Sequence, residues 1–452
     1  MAGRKYPCRW SLGPAEPPGS ASPRDTGAPF PPMTFLAGEP VAAACAVVLL
    51  SLIVPQVLLT AWFAWHVRRR SRGLPGEEPA RPESPPVPAE VVLCLRGADD
   101  QLPDVFRCLA RQRYAAWRLR VIVDSPADPA WRVAHDMVAG LGENTTWSAA
   151  VIEPLAARPD TGSLKCASLR QALLTLAPQT RVVAVIDADA VPHDAWLASM
   201  VEECQREGVG AVSGNRWYEP EADSLAGTVR RLWNAGAIVQ MTAFGIPWGG
   251  ALAVRREAME ASGWTDVIRA SLCEDTALAA PLARAGWRHR FVPGLIAVSD
   301  DDRIGTWSLT RWISRQLLTA RLHHPLWPLV AMHGLATSAA LVVAGGLAAL
   351  AAWQGRPQAA AAILLALAVY ELVCVGLVLV IERTVAAAVA PVGRTLRPVS
   401  IPGLLWQAAV LPVTQAVYAV ATLMALGARS VEWRGVVYDI VRQAGRAGVR
   451  RR

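Results

Sequence analysis

Lysine is almost absent from this chain. Of 45 basic residues in 452, only Lys5 and Lys165 are lysine, and arginine supplies the rest. Cysteine is present eight times, but with no CxxC pair and no metal-knuckle spacing. That excludes a disulfide framework and a cysteine-held zinc site, leaving the thiols as small hydrophobes of a reducing compartment. No internal repeat is present, which excludes a solenoid. Neither a Walker lysine motif nor a GxGxxG run occurs, so there is no standard phosphate cradle. Against that arginine bias, Lys165 reads as a position that needs a compact ammonium, as beside a phosphate, with chance retention as the plain alternative.

What the chain has in excess is apolar sequence, 53% of residues, unevenly spread. Pro40 to His66 is nearly all apolar and ends in Val67-Arg68-Arg69-Arg70-Ser71-Arg72. It is long enough to cross a bilayer, and its basic flank marks the cytoplasmic side. Three further apolar blocks follow: Leu326–Trp353, Ala359–Ile381 and Leu404–Leu426. The expected organisation is a disordered extension (1–33), a first transmembrane helix (34–67), a Pro/Glu-rich linker (68–89) and a water-soluble domain (90–305). An interfacial amphipathic segment (306–325), transmembrane helices (326–427) and a basic cytoplasmic tail (428–452) complete it. Three full spans would leave that tail opposite the domain, and a break at Pro412 into a re-entrant hairpin would restore parity. The net charge of +8 fits retention on an anionic leaflet better than nucleic-acid binding, because the arginines flank the apolar segments.

The middle of the chain alternates strand and helix signals from Glu90 onward, the pattern of a parallel sheet covered by helices. Its most informative strand is Val182 to Ile186, a continuous β-branched run that opens into Asp187-Ala188-Asp189. Side chains alternate along a strand, so the two carboxylates project together. They sit where open α/β sheets bind ligands. Hard oxygens at such a place suit Mg²⁺ or Mn²⁺, the alternative being a solvated acidic turn. Successive strands deliver Arg96, Asp124 and Asp187/Asp189 to one sheet edge, which is therefore a nucleotide site in expectation. Further on, the loop Phe244 to Ala251 carries Trp248 and Gly249, where an aromatic could stack on a sugar or acceptor or simply pack in the core. Ser271 could cap the next helix with Glu274 as its capping-box partner, which leaves Asp275 free for chemistry. A basic stretch from Thr310 to Arg321 holds Arg315 at the membrane edge.

In this order, the motifs resemble membrane-bound glycosyltransferases of the GT-A fold, over about Val91 to Gln316. The nearest variant is the ceramide glucosyltransferase-like family with its bacterial hopanoid glycosyltransferase relatives. Asp124-Ser125-Pro126 resembles the family's segment after the second strand, and Glu432-Trp433-Arg434-Gly435-Val436-Val437-Tyr438 resembles its C-terminal Trp-Arg-Gly-x-x-Tyr ending. The resemblance implies an α/β, Rossmann-like GT-A domain between an N-terminal and several C-terminal transmembrane helices. It implies inverting transfer of a sugar from a UDP-sugar donor to a ceramide- or hopanoid-like lipid hydroxyl. By the same resemblance Asp189 holds Mg²⁺ or Mn²⁺ with Asp187, Asp124 meets the uracil, and Arg96, Lys165 and Arg315 steady the donor. Asp275 is the general base beside Glu274, and Trp248 and Gly249 face the acceptor. The partners implied are the nucleotide sugar, the lipid and the bilayer, with no nucleic acid and no obligate protein partner; the expected setting is a bacterial inner or cell membrane with the catalytic domain cytoplasmic. One departure stands out: the family's Gln/Arg-x-x-Arg-Trp motif reads Trp312-Ile313-Ser314-Arg315-Gln316 here, with the Arg kept and its flanks changed. The rival readings are a processive polysaccharide synthase, a polyprenyl-phosphate sugar transferase, a metal-dependent nucleotidyltransferase or phosphohydrolase, and a catalytically decayed membrane scaffold. The few spans leave little room for a polymer channel.

Overall fold

The computed structural model describes residues 39–71, 85–219, 224–299, 304–443 and 446–452. The expected extension (1–33) and most of the Pro/Glu-rich linker (72–84) lie outside the described residues.

A continuous apolar stretch ending in three arginines forms α1 (Glu39–Ser71). The α/β domain then runs β1 (Ala89–Leu95), α2 (Leu102–Ala110), β2 (Trp117–Val123), α3 (Pro129–Leu141), β3 (Ala150–Pro154), α4 (Leu164–Leu174) and β4 (Val182–Ile186). It continues through α5 (Trp196–Cys204), β5 (Val209–Ser213), β6 (Arg216–Tyr218), α6 (Leu225–Phe244) and β7 (Ala251–Arg255). The short helices α7 (Arg256–Ser262), α8 (Trp264–Val267) and α9 (Ala279–Arg284) lead to β8 (Arg288–Phe291) and β9 (Ala297–Ser299). Seven strands form one sheet in the order β3-β2-β1-β4-β7-β5-β8, parallel except for β7, while β6 and β9 pair separately. β1 and β4 are buried almost throughout, as their unbroken apolar runs require of strands covered on both faces.

Register decides where the polar residues go. Leu95 pairs with Val123, and Leu93 with Ile186, so the chain leaves β1, β2 and β4 at one edge through Arg96, Asp124 and Asp187. The antiparallel β7 pairs Ala251 with Ile186, which brings the loop before it, Trp248 to Gly250, to that same edge.

After the domain come α10 (Thr306–His323), α11 (Trp327–Trp353), α12 (Pro357–Val389) and α13 (Ile401–Gly427). With α1, the last three are, by length and composition, four helices able to cross a membrane among the described residues. Ala42 and Leu49 pack with Ala351 and Ala359, whereas Phe63 and Val67 pack with Val385, Val389 and the domain's Trp217. Thus α1 and α12 run side by side toward the domain, and α11 runs away from it. The last helix behaves differently. Its Gln407 donates to Glu382 at 3.2 Å, Trp406 donates to Thr228, and Tyr418 donates to the Val330 carbonyl at 3.2 Å. Arg321 of α10 donates to the carbonyls of Ala425 and Ala428. All these partners lie in the domain, in α10, or in the domain-side halves of α11 and α12. The chain therefore ends on the domain's side. The expected hairpin break at Pro412 does not occur, because Pro412 sits inside one unbroken helix.

The residues expected as a basic tail fold into a sheet, β10 (Ser430–Trp433), β11 (Val436–Gln443) and β12 (Arg446–Arg451). This sheet packs on the domain: Gly162 donates its N–H to the Val449 carbonyl at 2.9 Å, and Leu164 N–H donates to the Tyr438 hydroxyl at 3.2 Å.

Candidate active site

The carboxylates at the sheet edge are each held by a cation. Ser163 caps α4, accepting from the Cys166 N–H, and so fixes Lys165 in its first turn. Lys165 Nζ stands 2.7 Å from Asp187 and 2.6 Å from Glu274. Burial alone would push that ammonium down, but Asp187, Glu274 and Asp275 around it keep its pKa well above the usual value. Glu274 is only 1% exposed, and burial raises its pKa against the pull of Lys165. Asp189 accepts both guanidinium branches of Arg216, at 2.6 and 2.7 Å. Burial would raise Asp189, yet this fork wins and brings its pKa down to about 2. Asp124 is buried and pairs with Arg96 and with Arg158, while its Oδ1 has no hydrogen-bond partner among the described residues.

Asp275 is held by uncharged donors. Its Oδ2 accepts from Gly249 N–H at 2.7 Å, and its Oδ1 accepts from the Thr276 N–H and hydroxyl. A Cβ on Gly249 would sit 2.3 Å from Glu274 Oε1, so only glycine allows the loop to approach this closely. Trp248 stands 5.2 Å from the Arg216 guanidinium. Arg315, on α10, lies 5.3 Å from the ring of Trp433. Burial first, and the charge of Arg434 second, lower the pKa of Arg315.

Every sequence-predicted site residue except Gly249 lines a single cavity of about 480 Å³, and Gly249 borders it through its bond to Asp275. The cavity does not end at the sheet edge. It continues past Trp233, Gln240 and Met241 of α6 to Gln56 of α1, His333 of α11, Cys374 of α12 and Tyr418 of α13. It thus joins a charged pocket to the interior of the apolar helices.

Two expectations change. The capping box at Ser271 is not formed: Ser271 donates to the Val267 carbonyl, and Glu274 is an ion-pair partner of Lys165 in a coil before α9. The aspartate pair is also not free, because Arg216 covers Asp189 and Lys165 covers Asp187. Sequence reasoning missed Arg216, which lies on a three-residue strand too short to show a period. It also gave no role to Trp433, Arg434 and Tyr438 of the C-terminal sheet, which line the same cavity.

Among the described residues no cluster of three or more His, Cys, Asp or Glu is poised around an ion. Two hard carboxylates in a cavity of this size still fit Mg²⁺ or Mn²⁺, which commonly take one or two protein carboxylates and fill their shell with phosphate and water. Asp189, with Asp187, would hold such an ion, in competition with Arg216 for the Asp189 oxygens.

The family model for glycosyl transferase family 21 matches residues 47–446. No curated protein matches the chain. Among solved structures, it is similar to the mannosyltransferase PcManGT from Pyrobaculum calidifontis in complex with GDP-Man and Mn²⁺. That match has 20% identity and a TM-score of 0.53, and covers 85% of this chain and 99% of that one. It is also similar to the Mycobacterium tuberculosis glucosyl-3-phosphoglycerate synthase, at 16% identity and a TM-score of 0.35, covering 57% of this chain and 82% of that one. The fold is the GT-A glycosyltransferase fold, set between long apolar helices.

Proposed function

The chain belongs to glycosyl transferase family 21, and from that premise we propose that it moves a sugar from a nucleoside-diphosphate donor, UDP in first expectation, to the hydroxyl of a membrane lipid, with inversion. The observation that carries this reading is the continuous cavity, with Asp187, Asp189 and Asp275 at one end and side chains of α1, α11, α12 and α13 at the other. A lipid hydroxyl can reach Asp275 from within the apolar helices while a nucleotide occupies the sheet edge.

The residues then take these parts. Asp275, oriented by Gly249 and Thr276, accepts the proton of the acceptor hydroxyl as its oxygen attacks the anomeric carbon. The bond from that carbon to the phosphate oxygen breaks, and the nucleoside diphosphate leaves with the electron pair. Lys165 and Arg315 face that growing charge. A Mg²⁺ or Mn²⁺ ion held by Asp189, with Asp187, would supply further neutralisation of the leaving diphosphate. Asp124 Oδ1, buried and unpartnered, is a ready acceptor for a base N–H. A single displacement needs no covalent nucleophile, so Glu274 acts by holding Lys165. The membrane helices keep the domain at the bilayer, with its catalytic side facing the cytoplasm by the arginine flank of α1.

The test is lipid-dependent nucleotide release by the full chain in detergent, with UDP- and GDP-sugars, Mn²⁺ or Mg²⁺ and a bacterial lipid extract. Release that needs lipid and is lost in Asp275→Asn supports the reading. No release with any donor from folded protein overturns it and favours the decayed scaffold.

A further inference from the structure

The rim of the cavity above the aspartates is built by the far end of the chain. Trp433 pairs with Val436, so Arg434 and Gly435 form a two-residue hairpin turn. Both have left-handed backbone, with φ of 50° and 74°. Such a turn favours Asn-Gly, because an L side chain in this region crowds its own backbone. Arg434 is the one non-glycine residue with positive φ among the described residues. Strain of this kind persists where the surroundings hold it, and it gathers at functional sites.

The surroundings here are the donor edge itself. Arg96 Nε donates to the Arg434 carbonyl at 2.9 Å, tying the turn to the end of β1. Trp433 carries the Arg315 guanidinium over its ring. The Tyr438 hydroxyl accepts from Leu164, next to Lys165. Acidic and basic side chains are equal in number at this end of the cavity, but they are not all closely paired. Asp124, Asp187, Asp189 and Glu274 are already paired with Arg96, Lys165 or Arg216. No carboxylate pairs with Arg315 among the described residues, and Arg434 meets only Asp99, at 3.4 Å on the rim, with its side chain 49% exposed. Arg315 without a carboxylate partner, and Arg434 held only loosely by Asp99, leave guanidinium donors open to an anion, and the fork of arginine suits phosphate oxygens.

We propose that the β10–β11 turn is a fixed wall of the donor site and that Arg434 binds the diphosphate of the nucleotide, beside Arg315 braced on Trp433. This rests on the donor reading above and adds to it a binding residue supplied by the C-terminal sheet.

The experiment measures nucleotide affinity of the full chain in detergent with Mn²⁺, by calorimetry, using UDP, GDP, ADP and TDP and the matching monophosphates. The variants are Arg434→Gly and Arg434→Asn, both suited to a left-handed turn, with Arg442→Ala on the exposed face of β11 as the control. For the nucleotide that binds, the ratio of diphosphate to monophosphate affinity falls about tenfold or more in both Arg434 variants and is unchanged in Arg442→Ala. Because each variant is compared with itself, a change in folded fraction does not move that ratio. Thermal midpoints at or above wild type for Arg434→Gly, together with the lost ratio, separate binding from scaffolding. An unchanged ratio overturns the proposal whatever the midpoint. If wild type binds none of the four diphosphates, the donor reading fails and the proposal with it.

Discussion

At the sheet end of the cavity, Asp124, Asp187, Asp189, Glu274 and Asp275 stand among Arg96, Lys165, Arg216, Arg315 and Arg434. At the other end the wall is Leu, Val and Ile with single amides and hydroxyls such as Gln56, Gln240, Thr414 and Tyr418, and no full charge. The first end is a lattice of ion pairs, and the second is an apolar wall with a few neutral hydrogen-bonding groups. On the proposed function, an incoming nucleotide would have to rearrange the first, and the lipid would be met by the second. Donor binding should therefore respond to salt and pH, and acceptor binding should respond to shape.

The largest effect that sharpens this contrast is expected at the junction of the two ends. Asp275→Asn should lower the transfer rate by about 10²–10⁴-fold, the usual worth of a positioned base, with nucleotide affinity kept. Turnover assays beside nucleotide calorimetry check it, and full activity in the variant would break the assignment of Asp275 as the base.

Next is Lys165→Met, which leaves Glu274 buried and unpaired. Breaking a buried pair costs about 3–5 kcal/mol, so the thermal midpoint in detergent should fall clearly. Adding Glu274→Gln should recover part of the loss. A single variant as stable as wild type would mean that the pair is not an anchor of the sheet end.

The pH dependence is smaller and falls on the α/β domain and the end of α10. Burial lowers the pKa values of His193, His289 and His323 from 6.5 to about 4. Between those values the unfolded chain binds more protons, so stability should decline as pH drops from about 6.5 toward 4. Asp189, depressed to about 2 from 3.8, stabilises above its unfolded value and loses that contribution as pH falls through this lower window. A series of thermal midpoints from pH 7 to 2 checks both: a flat profile from 7 to 4 would contradict the histidine part, and one flat from 4 to 2 the Asp189 part.

The smallest effect belongs to the membrane end. Gln240→Leu should raise the acceptor KM by about 2–10-fold, as loss of one neutral hydrogen bond does, with kcat and donor KM unchanged. A matching rise in donor KM would show that the two ends are not separable.

Much of the sheet end was legible in the sequence because it is local. The apolar runs of β1, β2 and β4 ended where the site begins, and register alone carried Arg96, Asp124 and Asp187 to one edge. What was not legible depends on residues distant in the chain. Glu274 looked like a cap because its partner, Lys165, lies on another helix. Arg216 carried no pattern on a three-residue strand. The last 25 residues read as charge, since arginines outweigh the alternation of β11 and β12. One sequence departure also changes meaning in space. The tryptophan missing after Arg315 has a counterpart in Trp433, which reaches that guanidinium from the C-terminal sheet.

The bond from Arg96 to the Arg434 carbonyl spans 338 positions of sequence. At about 5–20 residues per second, a ribosome needs roughly 17–70 s between making one partner and making the other. For that interval the nascent domain has its aspartates but lacks the wall above them. A truncation before Ser430 should therefore leave Asp124, Asp187 and Asp189 without the Arg434 turn that borders them, which a structure of that truncated chain would show.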